Sequence, residues 1–300
     1  MTGGVYAPVP PGVPAPTPTP VKPRRRILRR LLITSLGLAT VLAVAFVAFV
    51  FWPNPTVPAD QPNMTQVMTG TDNDWLSFDD FVPGTAIAAD GSDNDEYECT
   101  LGFLGRDSSG TPIGFTAGHC DRPGDDSPHF TRKADEDTPV ELGRFTTVQT
   151  ADMPDKVVKT GPDGWSDFAV IEIDPSLTDS AEDNARIAGV YRVTKVLDYE
   201  YLLNNNVTLC KFGFVSGETC GKVIGHDNLT VEAELYSASG DSGSPAYVKF
   251  GNDEVAAVGI LRGSPEGEDN ITEFSLLAPI LEATSSSLFC DDPTCRGNGS

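Results

Sequence analysis

The chain has 300 residues, 39% of them apolar, with 43 acidic against 21 basic side chains and a net charge of −22. That length holds one or two domains and the apolar share suits a globular core. The charge argues against a nucleic-acid binder, which needs a basic footprint.

The charge is uneven along the chain. Residues 1–59 hold no Asp or Glu and six cations, Lys22, Arg24, Arg25, Arg26, Arg29 and Arg30; the rest carries 15 basic against 43 acidic residues, a net of −28. Residues 1–30 read as a Pro-rich, basic tail, with the run Pro16-Thr17-Pro18-Thr19-Pro20. Residues 31–52, Leu31 to Trp52, are 22 uncharged residues whose polar side chains are Thr34, Ser35 and Thr40. At about 1.5 Å per residue such a run crosses a hydrocarbon core of roughly 30 Å as a helix. The Arg cluster before it predicts a single-pass anchor, with the tail cytoplasmic and everything after Trp52 outside the cell membrane. A cleaved signal peptide is the rival reading, with secretion as its consequence. The length of the apolar run and of the preceding tail favours the anchor.

Residues 53–83, rich in Pro, Asp, Asn and Thr, read as an extracellular linker. An ordered body is expected over 84–290, with 291–300 as a C-terminal tail. Strands are expected at 98–105, 111–117, 140–148, 168–173, 208–214, 228–235, 244–250 and 255–261. The clearest is Leu229 to Leu235, where apolar and polar residues alternate as in a half-buried strand. A short helix fits only near 279–284. Many short strands parted by turn signals make an all-β sandwich or barrel. All six cysteines, Cys99, Cys120, Cys210, Cys220, Cys290 and Cys295, follow the apolar run. Outside the cytosol an even set reads as disulfides. There is no C-x-x-C pair and only three His, so a zinc site is disfavoured; no metal and no cofactor is expected.

Three stretches carry chemistry: Phe115-Thr116-Ala117-Gly118-His119-Cys120, Ser166-Asp167-Phe168-Ala169-Val170-Ile171, and Gly240-Asp241-Ser242-Gly243-Ser244-Pro245. Each alone has a plain reading: a structural His, a strand-capping Asp, a tight Gly turn. Acyl transfer by serine needs a hydroxyl, an imidazole to take its proton, a carboxylate to orient the imidazole, and N–H groups for the oxyanion. The other two histidines, His129 and His226, read as surface residues.

In the order His, Asp, Ser, the three stretches resemble the chymotrypsin-like serine peptidase family, and within it the bacterial streptogrisin and α-lytic branch. The resemblance covers about 84–282 and implies two six-stranded antiparallel β-barrels with the cleft between them. It implies Ser242 as nucleophile, His119 as general base and acid, Asp167 as its orienting carboxylate, and the N–H groups of Gly240 and Ser242 as the oxyanion hole. It also implies a Cys99–Cys120 disulfide bracing the histidine loop and a Cys210–Cys220 loop disulfide. Lys211, just after Cys210, is expected to pair with Asp241; the plain alternative is a solvated lysine. Cys290 and Cys295 are expected to close a small local loop.

The substrate pocket departs from the family. The resemblance places Tyr236 at its base, which argues against a preference for Lys or Arg. The resemblance puts Arg262 and Gly263 on the strand that would pair with substrate backbone; Arg262 either lines the mouth or points to solvent. The expected activity is hydrolysis of peptide bonds in a protein or peptide substrate by a membrane-anchored endopeptidase. The alternative is a catalytically silent, peptidase-like binding module. Oligomeric state is not readable.

Overall fold

A computed structural model describes residues 78, 80–88, 98–121, 128–131, 139–150, 166–251, 253–265, 268 and 270–296. The expected tail, the apolar span at 31–52, most of the linker and residues 297–300 lie outside the described residues. Among the described residues no helix is long and apolar enough to cross a membrane.

Among the described residues, sixteen strands form two sheets. The first contains β1 (Ala86–Ala88), β2 (Glu98–Thr100), β3 (Leu104–Arg106), β4 (Pro112–Thr116), β5 (Pro128–Thr131), β6 (Val140–Gln149), β7 (Phe168–Ile173) and β16 (Ser287–Leu288), in the order β16-β3-β4-β7-β6-β5-β1-β2. The second contains β8 (Arg186–Ile187), β9 (Tyr191–Val196), β10 (Thr208–Gly213), β11 (Gly217–His226), β12 (Thr230–Glu234), β13 (Pro245–Lys249), β14 (Glu254–Gly263) and β15 (Thr272–Leu276), in the order β13-β10-β11-β12-β15-β14-β9-β8.

A further β13–β14 pairing closes β13, β10, β11, β12, β15 and β14 into a six-membered ring. Closure removes the open edges that an antiparallel sheet would otherwise expose. The first sheet curls the same way. Residues 101–103 leave β2, take Thr85 O on Leu101 N, and bond β4 through Gly102 N to Phe115 O and Phe115 N to Phe103 O. The all-β, two-barrel expectation holds, with two differences. Among the described residues each sheet has eight strands: β8 and β9 are added to the six of the second barrel, while the first gains β16 and has β2 and β3 as separate strands on either side of residues 101–103. The β14–β9 pairing is parallel rather than antiparallel.

Alternation places the core. In β12, Val231 and Ala233 are buried, as is Leu235 just after it, while Glu234 faces solvent. They join Leu209, Val258 and Phe274 inside the second barrel. Leu101, Leu142 and Ile171 fill the first. A third cluster, with Phe103, Phe115, Phe168, Phe212, Tyr247 and Ile280, lies between the two.

The boundaries are wider than composition suggests. Phe78, Phe81 and Val82, in the stretch read as linker, are buried, and Phe78 packs on Phe212 with ring centroids 6.1 Å apart. At the other end Cys295 is fully buried and Thr294 Oγ1 accepts from Val196 N at 3.0 Å. Helix α1 (Tyr199–Asn204) has no counterpart in the sequence reading. Asp198 caps it, accepting from Tyr201 N at 2.8 Å. Helix α2 (Leu277–Thr284) begins two residues earlier than expected and buries Leu277, Ile280 and Leu281. His129 is buried, with its ring centroid 4.0 Å from that of Phe145, which corrects its reading as a surface residue. His226 is half-buried, edge-on to Tyr199.

Candidate active site

The histidine arm belongs to the first barrel. Strand β4 ends at Thr116, and Gly118–Cys120 form a single tight turn beside β7. Asp167 opens β7 and is fully buried. Its Oδ2 lies 2.5 Å from His119 Nδ1, and its Oδ1 accepts His119 N at 3.0 Å. One carboxylate therefore fixes both the ring and the backbone of the same histidine. Only glycine fits just before it: a Cβ on Gly118 would sit 1.9 Å from Gln149 O and 2.7 Å from Asp167 Oδ1. Asp167 is itself held across the barrel junction. Its N–H donates to Ser275 Oγ at 2.8 Å, and that hydroxyl donates back to Asp167 O at 3.0 Å. Cys99–Cys120 anchors the far end of the turn. His119 keeps about a third of its side chain exposed.

The serine arm belongs to the second barrel. Ser242 is half-buried, in the loop before β13. Its neighbours' backbone is tied down: Asp241 N to Ala238 O at 3.0 Å, Gly243 N to Leu261 O at 2.8 Å, and Ser244 N to Asp241 O at 2.9 Å. The N–H groups of Gly240 and Ser242 have no acceptor among the described residues. Gly243, at φ +90°, brings the loop so close that a Cβ there would lie 2.1 Å from Thr116 Oγ1 and 2.2 Å from Thr100 O.

Beneath the loop lies a fully buried ion pair. Lys211 Nζ reaches Asp241 Oδ2 at 2.8 Å and also bonds Ser216 Oγ and Gly217 O. All three ammonium protons are thus used. Asp241 accepts further from Val215 N, Ser216 N and Ala238 N at 3.0–3.2 Å and from Ser216 Oγ. Burial pulls the Lys211 ammonium below its ordinary range, against the pull of the Asp241 carboxylate. The expected pairing is present, and the solvated alternative is not. Cys210–Cys220 crosses the same two strands.

Thr100 joins the arms. Its N–H donates to Ser242 O at 2.7 Å, its Oγ1 donates to Gly240 O at 3.0 Å, and Phe214 N donates to that hydroxyl at 3.3 Å. The residue next to the Cys99 bridge therefore grips the Ser242 loop. No hydrogen bond links His119 Nε2 to Ser242 Oγ in this structure, a contact that often tightens only when substrate is bound.

Of the expected pocket residues, Tyr236 is half-buried, with its carbonyl accepting from Thr219 Oγ1 at 2.8 Å. Arg262 does not point to solvent. It is the extra residue of a bulge between Leu261 and Gly263, only 12% exposed, with Nε and Nη2 both on Glu273 Oε2 at 3.0 and 2.9 Å. Ser237 Oγ and Ser264 Oγ lie 3.2 Å apart and link this strand end to the 236–240 loop. Cys290–Cys295 is also bonded. Among the described residues, the two clusters with metal-ligand spacing are Cys99, His119, Cys120 and Cys210, Glu218, Cys220. Their cysteines are in disulfides and offer no thiolate.

The chain is similar to solved structures of proteases. A Nocardiopsis protease is 16% identical, covering 69% of this chain and 97% of its own, at a TM-score of 0.46. An alpha-lytic protease homolog, N4, is 18% identical, covering 68% and 97%, at 0.41. A Cellulomonas bogoriensis chymotrypsin is 16% identical, covering 69% and 97%, also at 0.41. No family model matches the chain, and no curated protein does.

Sequence reasoning missed Thr100, Ser216 and Ser275. Each is one hydroxyl among many, with no local motif, and becomes legible only when the barrels meet.

Proposed function

We propose that this chain is a serine endopeptidase acting through an acyl-enzyme on Ser242. The observation that carries the reading is the His119–Asp167 pair, bonded through Nδ1 and Oδ2, on one barrel, joined through Thr100 to a Gly-Asp-Ser-Gly loop on the other.

With Asp167 on Nδ1, the neutral His119 ring carries its proton there and leaves Nε2 as base. Ser242 Oγ attacks the substrate carbonyl carbon as its proton passes to Nε2. The carbonyl oxygen becomes an oxyanion and takes the N–H groups of Gly240 and Ser242. The C–N bond then breaks, and the amine leaves with the proton from Nε2. Water adds to the ester, giving its proton to Nε2, and the acid departs as Ser242 regains its proton. The oxyanion loop keeps its shape through Lys211 and Asp241, an anchor built from residues internal to the body.

Residues 31–52 anchor this body to a membrane, with the peptidase on the outer face. The supports are the uncharged length of that run and the arginines before it. Digestion of a peptide library by the full-length chain, read by mass spectrometry, tests the chemistry. Internal cleavage is expected, and it disappears with Ser242→Ala; cleavage that persists in that variant contradicts the reading. Recovery of the chain in the membrane fraction, with its body open to protease added outside the cell, tests the anchor.

A further inference from the structure

A cavity of about 470 Å³ opens where the β8–β9 hairpin meets the β3–β16 edge, formed by residues other than those of the candidate catalytic site. Four of the eight arginines that follow residue 59 line it: Arg106, Arg186, Arg192 and Arg296. In a body of net charge −28 that concentration is itself unusual, and the strand register makes it sharper.

Arg186 and Arg192 are direct cross-strand partners, so their side chains leave the same face side by side. Like charges placed directly opposite destabilise a strand pair. Ser287 pairs with Arg106 on one side and bridges to Arg296 on the other, so a second row puts two more arginines on one face around a hydroxyl. Arg106 and Arg192 each have an exposed carboxylate, Glu182 and Glu254. Surface pairs of that kind hold weakly and exchange readily. Arg186 and Arg296 have no carboxylate partner among the described residues; Arg186 donates to Val190 O at 3.1 Å.

We propose that this cleft is a second binding site, for an extended peptide segment bearing carboxylates. Guanidiniums are planar forks matched to carboxylate oxygens. The volume lies within the range of pockets built for ligands rather than single ions. Glu182, Asp183 and Asp291 stand among the arginines. Their charge disfavours a dense polyanion, while carboxylates spaced along a peptide reach the arginines between them. The site needs no catalytic competence, so its test is independent of the peptidase reading.

The test uses the full-length chain carrying Ser242→Ala, so that no peptide is cut, and a fluorescein-labelled decapeptide alternating Glu and Ser. Anisotropy is followed at about 0.15 M salt, where the Debye length of roughly 8 Å screens the distant acidic surface but not contact pairs. Saturable binding is expected. It should weaken at least about tenfold in Arg186→Gln/Arg296→Gln, a loss typical of contact charge pairs. The same double substitution in the Ser242 chain should leave hydrolysis of a small ester and the melting temperature unchanged or higher. No saturable binding, equal affinity in the double variant, equal binding of a Lys/Ser decapeptide, or displacement by equimolar inorganic phosphate would each overturn the proposal.

Discussion

The two barrels hold their parts of the site by different means. In the first, His119 is fixed by one buried carboxylate through two bonds, and that carboxylate's residue is fixed by a serine of the second barrel. In the second, the Ser242 hydroxyl has no hydrogen-bond partner among the described residues; the backbone around it is fixed by an ion pair buried beneath the loop. If His119 is the base and Ser242 the nucleophile, as proposed, the lesson is that a base is held through its ring, whereas a nucleophile loop is shaped along its backbone. Removing a buried polar group should therefore do different things in the two halves.

The largest effect after loss of the nucleophile is expected at Asp167. Asp167→Asn keeps the shape but disturbs the His119 tautomer, and kcat should fall by roughly 10⁴ with little change in KM, as where such a carboxylate orients a histidine. Steady-state kinetics on one peptide check it. A fall under tenfold would mean that His119 is oriented by something else.

Lys211→Ala acts on the other half. It leaves the buried Asp241 carboxylate without its cation, which costs about 3–5 kcal/mol. Stability and activity should fall together in denaturant melts and rate assays. At Asp167 they should separate, and that contrast would break the comparison if it did not appear.

Thr100→Val tests the join. It removes the hydroxyl that serves Gly240 O and Phe214 N and leaves these partly buried groups without it, at about 1–3 kcal/mol. Activity should drop more than stability accounts for, since the hydroxyl holds the Gly240 turn that is proposed to carry the oxyanion hole. Equal rates per folded molecule would reduce Thr100 to packing.

The smallest expected effect is an alkaline one. Burial lowers the Lys211 pKa in the folded chain relative to the unfolded one. The folded state then releases this proton first, so this group's contribution to stability rises with pH from the folded pKa up to the unfolded value near 10.4. Deprotonation nonetheless ends the ion pair that shapes the loop. Activity should decline on the alkaline side, below pH 10.4, before the chain unfolds. A pH–rate profile run beside a pH–stability profile checks the order; coincident losses would contradict it.

Much of this was legible in the chain. Strand β7 runs over Phe168–Ile173, as its apolar run indicated, and β12 keeps the alternation seen in Leu229 to Leu235. The Lys211–Asp241 pair and the Cys99–Cys120 and Cys210–Cys220 bridges are all present. Short or glycine-broken strands were not legible. Strand β11 begins Gly217-Glu218-Thr219-Cys220-Gly221, and its buried Glu218 is acceptable only because Tyr247 and Lys249 meet it. The same holds for Phe78 and Phe81. They sit in polar surroundings in the sequence, and only the fold shows the faces that bury them. Arg262 illustrates the limit of register: one bulge turned a residue read as mouth or solvent toward Glu273.

The central claim is that Ser242 is an activated nucleophile. Labelling of the full-length chain with a fluorophosphonate probe tests it most directly, with Ser242→Ala and His119→Ala alongside. The account predicts covalent labelling of the parent chain at Ser242 and none in either variant. A folded, disulfide-bonded parent chain that stays unlabelled, or a Ser242→Ala chain that labels as well as its parent, would contradict it.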